Sequence, residues 1–152
     1  MKIAIGCDPN AKKAKEDIIE FIKNKNLGDV TDFGSDDIVY ANVAIEVAKA
    51  VASKEYDKGI LICGTGIGVS IAANKVQGAY AALISDIYSA ERAVLSNNAN
   101  IGCFGAFTIG NKVREELVQI FLSNTYDSNS NSNIKFEAYK NYDYCRGQRE
   151  YE

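Results

Sequence analysis

Apolar and polar positions along the chain follow two alternating rhythms. Short continuous apolar runs end in glycine or turn residues. Between them lie longer stretches whose apolar residues recur at helical spacing. Residues 2–6 read as a strand. A helix over 11–25 follows, with Ile18, Ile19, Phe21 and Ile22 on one side. A second strand over 29–33 closes on Gly34-Ser35-Asp36-Asp37, which is turn chemistry. A helix over 41–53 carries a stripe of Val43, Ala44, Val47, Ala48 and Val51. Then come a strand over 59–63, a helix over 67–75 and a strand over 79–84. A helix over 86–95, capped by Ser85 or Asp86, a strand over 100–104 and a helix over 111–122 complete the series. This alternation predicts an α/β fold, a five-stranded parallel sheet covered on both faces. In such sheets ligands bind beyond the carboxyl ends of the strands. Those ends are Cys7-Asp8, residues 34–37, residues 63–68, Ser85-Asp86 and Gly105, so the candidate chemistry is expected along that edge.

The texture changes after Leu122. Residues 1–122 form the α/β domain, and residues 123–133, rich in Ser and Asn, read as a flexible linker. Residues 134–152 are a tail in which Phe136, Tyr139, Tyr142 and Tyr144 stand among charges. That spacing predicts a short helix with an aromatic face that docks on its own domain or on a partner subunit.

Bulk properties narrow the function. A chain of 152 residues builds one domain with a real core. The net charge is −3 and the basic residues are scattered, which argues against nucleic-acid binding. No apolar run reaches the roughly 18–20 residues of a membrane span. The first residues read directly as a strand, without a signal peptide, so a cytoplasmic location is expected. Cys7, Cys63, Cys103 and Cys145 form no CxxC pair, and no metal site is expected. Cys7 and Cys103 read as small buried hydrophobes. There is no histidine, so proton transfer has to use Cys, Asp, Glu, Lys or Tyr.

One segment changes this picture most. The apolar run 59–63 ends at Cys63, and glycines follow at 64, 66 and 68 before a helix begins. The order is GxGxG after the third strand, not the GxGxxG of a dinucleotide fold, and no Walker lysine follows. What remains is a thiol beside backbone amides. The amides would stabilise a thiolate and hold an oxyanion developing on a carbonyl. Two chemistries fit: proton abstraction next to a carbonyl, or attack by a nucleophilic thiolate. Lys12 and Lys13 read as a solvated helix face, Asp36 and Asp37 as a turn, Asp86 as a cap and Arg92 as a surface or interface residue.

The chain resembles the sugar-phosphate isomerases that group B-type ribose-5-phosphate isomerase with the subunits of galactose-6-phosphate isomerase. The resemblance spans residues 1–122. It rests on residues 1–8, Asp32-Phe-Gly34, residues 59–68, residues 70–75, Tyr88-Ser-Ala90 and Asn97-Asn-Ala-Asn100. It implies a three-layer Rossmann-like fold without a cofactor. It also implies a homodimer or tetramer, or a hetero-oligomer with a related subunit, with active sites between subunits. By the resemblance, Cys63 is the base that moves a proton between C1 and C2 of the open-chain sugar, and Thr65 orients the substrate or relays a proton. Gly64, Gly66 and Gly68 hold the enediolate oxygen, Asp8 and Asn97 bind hydroxyls, and Tyr40 lines the pocket.

Three positions depart from the family. Pro9 and Ser96 stand where it carries histidines, and Phe107 where it carries a phosphate-gripping arginine. The cationic segment after the last helix is replaced by the Ser/Asn stretch. Three accounts follow: a second chain supplies the missing groups; Lys12, Lys13, Lys135 or Arg146 take their place; or the chain is a catalytically silent, sugar-binding relative. The closest expectation is the cysteine-bearing subunit of galactose-6-phosphate isomerase, acting as an aldose–ketose isomerase.

Overall fold

The computed structural model describes residues 1–145. Five parallel strands form one sheet in the order β2-β1-β3-β5-β4. They are β1 (Lys2–Cys7), β2 (Asp29–Asp32), β3 (Lys58–Cys63), β4 (Ala81–Leu83) and β5 (Ile101–Gly105). The helices are α1 (Lys12–Asn24), α2 (Tyr40–Ala52), α3 (Ile67–Ala73), α4 (Ile87–Leu95), α5 (Asn111–Ser123) and α6 (Asn133–Cys145). Strand alternation decides the layers. Ile3, Ile5 and Cys7, with Ile60 and Ile62, pack against α1, α4 and α5. Ala4 and Leu61, with Cys63 and Cys103, pack against α2 and α3. The three-layer arrangement is the expected one.

The fourth strand and the third helix are shorter than expected for reasons visible in their contacts. The fourth strand covers 81–83 rather than 79–84, because Ala79 N–H closes a turn on Val76 O and Tyr80 N–H turns to Asn100 Oδ1. Helix α3 stops at Ala73, and the Asn74 side chain instead pairs with the outward-facing backbone of Ala81. Asn74 Nδ2 donates to Ala81 O at 2.8 Å, and Ala81 N–H donates to Asn74 Oδ1 at 2.9 Å.

The tail lies on its own domain as far as residue 145. Phe136 is buried, and its ring meets Tyr80, Tyr126 and Tyr139 at centroid distances of 5.4 Å. Gly78 N–H donates to Asp143 Oδ2 at 2.7 Å, and the Tyr139 hydroxyl donates to Asn97 O. Between α5 and α6, Asp127 organises a turn by accepting from Asn129 N–H and Ser130 N–H. Lys58 Nζ ties the end of α5 to the sheet through Phe121 O (2.6 Å) and Asn124 O (2.8 Å). Among the described residues no helix is long and apolar enough to cross a membrane.

Candidate active site

The carboxyl edge of the sheet gathers most of the expected residues. Cys7 lies opposite Ile62, and Asp8 N–H donates to Ile62 O at 2.9 Å. Asp8 therefore stands beside Cys63 at neighbouring strand ends. Its carboxylate accepts Asn10 N–H at 2.8 Å and caps the short turn that Pro9 begins.

Cys63 is 6% exposed at the end of β3. Gly66 N–H donates to its Sγ at 3.1 Å, a contact that strengthens when the sulfur carries charge. Only glycine allows it. Gly66 is left-handed at φ 81°, and a Cβ there would stand 2.9 Å from the Phe104 carbonyl carbon. Thr65 is exposed, and its Oγ1 accepts Ile67 N–H at 3.2 Å. Two rings border the loop. A Cβ on Gly68 would come within 2.5 Å of Tyr40 Cζ, and one on Gly64 within 3.1 Å of the Phe107 ring. Phe107 itself is largely exposed.

The other two sheet cysteines are inert by environment. Burial pushes the Cys7 thiol up to about 11 and raises that of Cys103 further, so both are neutral. The lesser candidates have structural partners. Asp86 caps α4 by accepting Ser89 N–H at 2.8 Å, and Asp37 accepts Val39 N–H and Asn42 Nδ2. Lys13 pairs with Asp17 on the face of α1, and Lys12 with Asp36 at 3.8 Å. Arg92 lies against Glu91, Ser96 and Tyr88. Arg146 lies outside the described residues. No three His, Cys, Asp or Glu side chains group as metal ligands among the described residues.

Asn97 is not on this edge. It follows α4, which runs back from the carboxyl ends, and its neighbour Asn100 bonds Tyr80 O and Gly59 N–H at the starts of β4 and β3. Asn97, which the resemblance adds to the site, therefore lies apart from the residues gathered at the carboxyl edge. A helix that returns across the sheet delivers its last turn to the amino edge.

Two buried cations were missed. Lys15, 2% exposed, pairs with Asp32 at 2.6 Å, and Asp32 also accepts Gly34 N–H. Arg114, 3% exposed, reaches the loop after β5. Each occupies a position on its helix's apolar stripe, Lys15 with Ile18 and Ile22, Arg114 with Leu117, Val118 and Phe121. That position was the signal that could have found them.

A family model described as "Ribose/Galactose Isomerase" matches residues 3–138. The chain belongs to the ribose/galactose isomerase family. Within this family it is 46% identical over 129 residues to "Ribose-5-P isomerase B" of Listeria innocua, covering 83% of this chain and 86% of that protein. It is 39% identical to "Galactose-6-phosphate isomerase subunit LacB" of Clostridium acetobutylicum, covering 83% and 74%. Its fold matches that of Clostridium thermocellum Ribose-5-Phosphate Isomerase B with a TM-score of 0.89 at 34% identity, covering 96% of this chain and 99% of that one. The α/β fold and the resemblance read from the motifs agree with these matches, and the protein is an isomerase of the ribose/galactose isomerase family.

Proposed function

We propose that the protein interconverts an aldose phosphate and its ketose, of the galactose 6-phosphate or ribose 5-phosphate type, with Cys63 as the base. The observation that supports this most is the amide of Gly66 aimed at the Cys63 sulfur from a loop open to Thr65. In the aldose-to-ketose direction the thiolate takes the C2 proton of the open-chain sugar. The electron pair moves into a C1–C2 enediolate whose oxygen is held by amides of Gly64, Gly66 and Gly68. Thr65 carries a proton between the two oxygens, and the Cys63 thiol returns its proton to C1. No electrons leave the substrate, so no redox cofactor is needed. Asp8 contacts sugar hydroxyls, and Tyr40 lines the pocket.

Asn97 joins this chemistry from a second chain. Its position on the opposite edge favours a site assembled between subunits, in a homodimer or tetramer or with a related subunit such as the one named for galactose-6-phosphate isomerase. The phosphate is held by that partner's cations or by Lys12, Lys13 or Lys135, because Pro9, Ser96 and Phe107 offer none.

The test is deuterium uptake at C2, followed by NMR in heavy water. The substrates are ribose 5-phosphate, galactose 6-phosphate and the free sugars, with Cys63→Ala alongside. Exchange that falls by ~10²–10⁴ in the variant is expected for loss of a base. Exchange that persists in Cys63→Ala removes the cysteine from the mechanism. No exchange with any of these sugars, alone or with a related subunit added, supports the silent, sugar-binding reading.

A further inference from the structure

The loop after β5 carries no side chain that the proposed reaction uses, yet it is tied on both sides, to Arg114 and to the backbone of Cys63 and Gly64. Arg114 projects from the first turn of α5 into it. Arg114 Nε and Nη2 donate to Gly105 O at 3.2 and 3.1 Å. Nη2 also reaches Ala106 O at 3.2 Å and Ile109 O at 2.9 Å, while Nη1 donates to Asn111 Oδ1 at 2.9 Å.

The other ends of the same peptide units touch the site. The unit whose carbonyl is Gly105 O has Ala106 N–H, which donates to Cys63 O at 2.8 Å. The unit whose carbonyl is Ala106 O has Phe107 N–H, which donates to Gly64 O at 2.9 Å. Two consecutive peptide units are therefore gripped by a cation on one side and grip the backbone of Cys63 and Gly64 on the other. A cation on the carbonyl polarises the peptide and strengthens the bond its N–H makes. The register agrees, since Cys63 and Gly105 are paired across β3 and β5, and a Cβ on Gly105 would stand 3.1 Å from the Thr65 carbonyl.

We propose that Arg114 is a positioning residue for this site: acting through the peptide units 105–106 and 106–107, it sets the placement of Cys63 and of the Gly64–Gly66 amides. Its guanidinium does not touch substrate. A lysine in its place presents one nitrogen where the planar fork presents three, so it reaches one or two of these carbonyls and not the whole set. The proposal rests on Cys63 being the base, but its readouts need no substrate. Failure of the isomerase reading and failure of this one are therefore separable.

The test uses the full chain as wild type, Arg114→Gln, Arg114→Lys and the milder Asn111→Ala, which removes one partner and leaves the guanidinium. Amide hydrogen exchange is followed by mass spectrometry in peptides covering 63–68 and 105–110. Carbamidomethylation by iodoacetamide is followed at Cys63, with buried Cys103 in the same molecule reporting global opening. In Arg114→Gln, exchange in both segments is expected to rise at least about tenfold. Cys63 labelling changes by at least about threefold while Cys103 stays protected, and Arg114→Lys recovers part of the effect. Should Arg114→Gln not fold, Asn111→Ala is expected to give the same pattern at smaller size. Exchange that rises in 105–110 but stays within about twofold in 63–68 overturns the proposal. So does labelling that rises at Cys63 and Cys103 by the same factor. Where activity is measurable, kcat is expected to fall by up to ~10²-fold with KM little changed, as for misplaced reacting groups.

Discussion

Gly66 caps α3 and Gly68 lies in its first turn, two residues apart, yet alanine at each is expected to act in opposite ways. At Gly66 the backbone sits at φ 81°, and a left-handed residue other than glycine costs about 1–2 kcal/mol. Its Cβ would also stand 2.7 Å from Leu83 Cδ1 and 2.9 Å from the Phe104 carbonyl carbon. Backbone cannot step aside, and overpacking of this kind costs about 1–3 kcal/mol. The two effects sum to about 2–5 kcal/mol. With about 2–4 °C per kcal/mol for a chain of this size, Tm should fall by roughly 5–20 °C. At Gly68 the residue is helical and the obstacle is the far end of the Tyr40 side chain. That ring can swing toward solvent, and alanine in place of glycine inside a helix gains about 1 kcal/mol. Tm of Gly68→Ala should rise, by up to about 4 °C. Tyr40 is nevertheless displaced, so its contribution to activity is lost, and adding Tyr40→Ala should change activity little further. Differential scanning calorimetry compares the two proteins directly. A Gly66→Ala protein melting within about 2 °C of wild type, or a Gly68→Ala protein less stable than it, would refute the steric reasoning.

Two more expectations concern the rest of the molecule. Cys7 titrates near 11 in the folded chain against 9.0 for the free thiol, so its contribution is complete below pH 9 and is lost as pH rises through 11. Lys58, lowered to about 8 by burial, works in the opposite sense between pH 8 and 10.5. Only the difference between wild type and Cys7→Ala isolates the thiol. Denaturant titrations should show wild type losing ~2–3 kcal/mol relative to the variant between pH 9 and 11, and a constant difference contradicts this. Phe136→Ala removes the ring at the centre of the Tyr80–Tyr126–Tyr139 cluster and should cost about 3–5 kcal/mol locally. Limited proteolysis should then cut residues 123–133 faster, and an unchanged cleavage rate would mean that the cluster does not hold the tail.

The layers were legible because β1, β3, β4 and β5 are apolar runs and the helices that cover the sheet carry an apolar stripe, as α1 does with Ile18 and Ile22. The ends of elements were less so. Nothing in 79–84 announces that Tyr80 N–H turns to Asn100 or that Asn74 leaves its helix for Ala81, since both are contacts between distant segments. Cys63 could be singled out because packing alone does not call for a thiol at a strand end just before alternating glycines. Asn97 was placed with it in function, but its edge follows from the direction of α4, which motif spacing does not encode. Lys15 and Arg114 escaped because a charged residue on a helix reads as solvated. Only its coincidence with the apolar stripe marks it as buried, and what it would find inside depends on a carboxylate or carbonyls from other elements. The aromatic spacing of the tail did foretell that it docks, although not that its landing place would include Tyr80 and the backbone of Asn97.

The pairing of Asn74 with Ala81 reaches beyond the stability of one loop. A sheet whose last strand shows its donors and acceptors to water is a template on which other chains can add. At Ala81 a side-chain amide answers the donor with an acceptor and the acceptor with a donor, as a neighbouring strand would. The register an incoming strand would need is already taken at Ala81, so on this side a single side chain stands in the way of growth of the sheet.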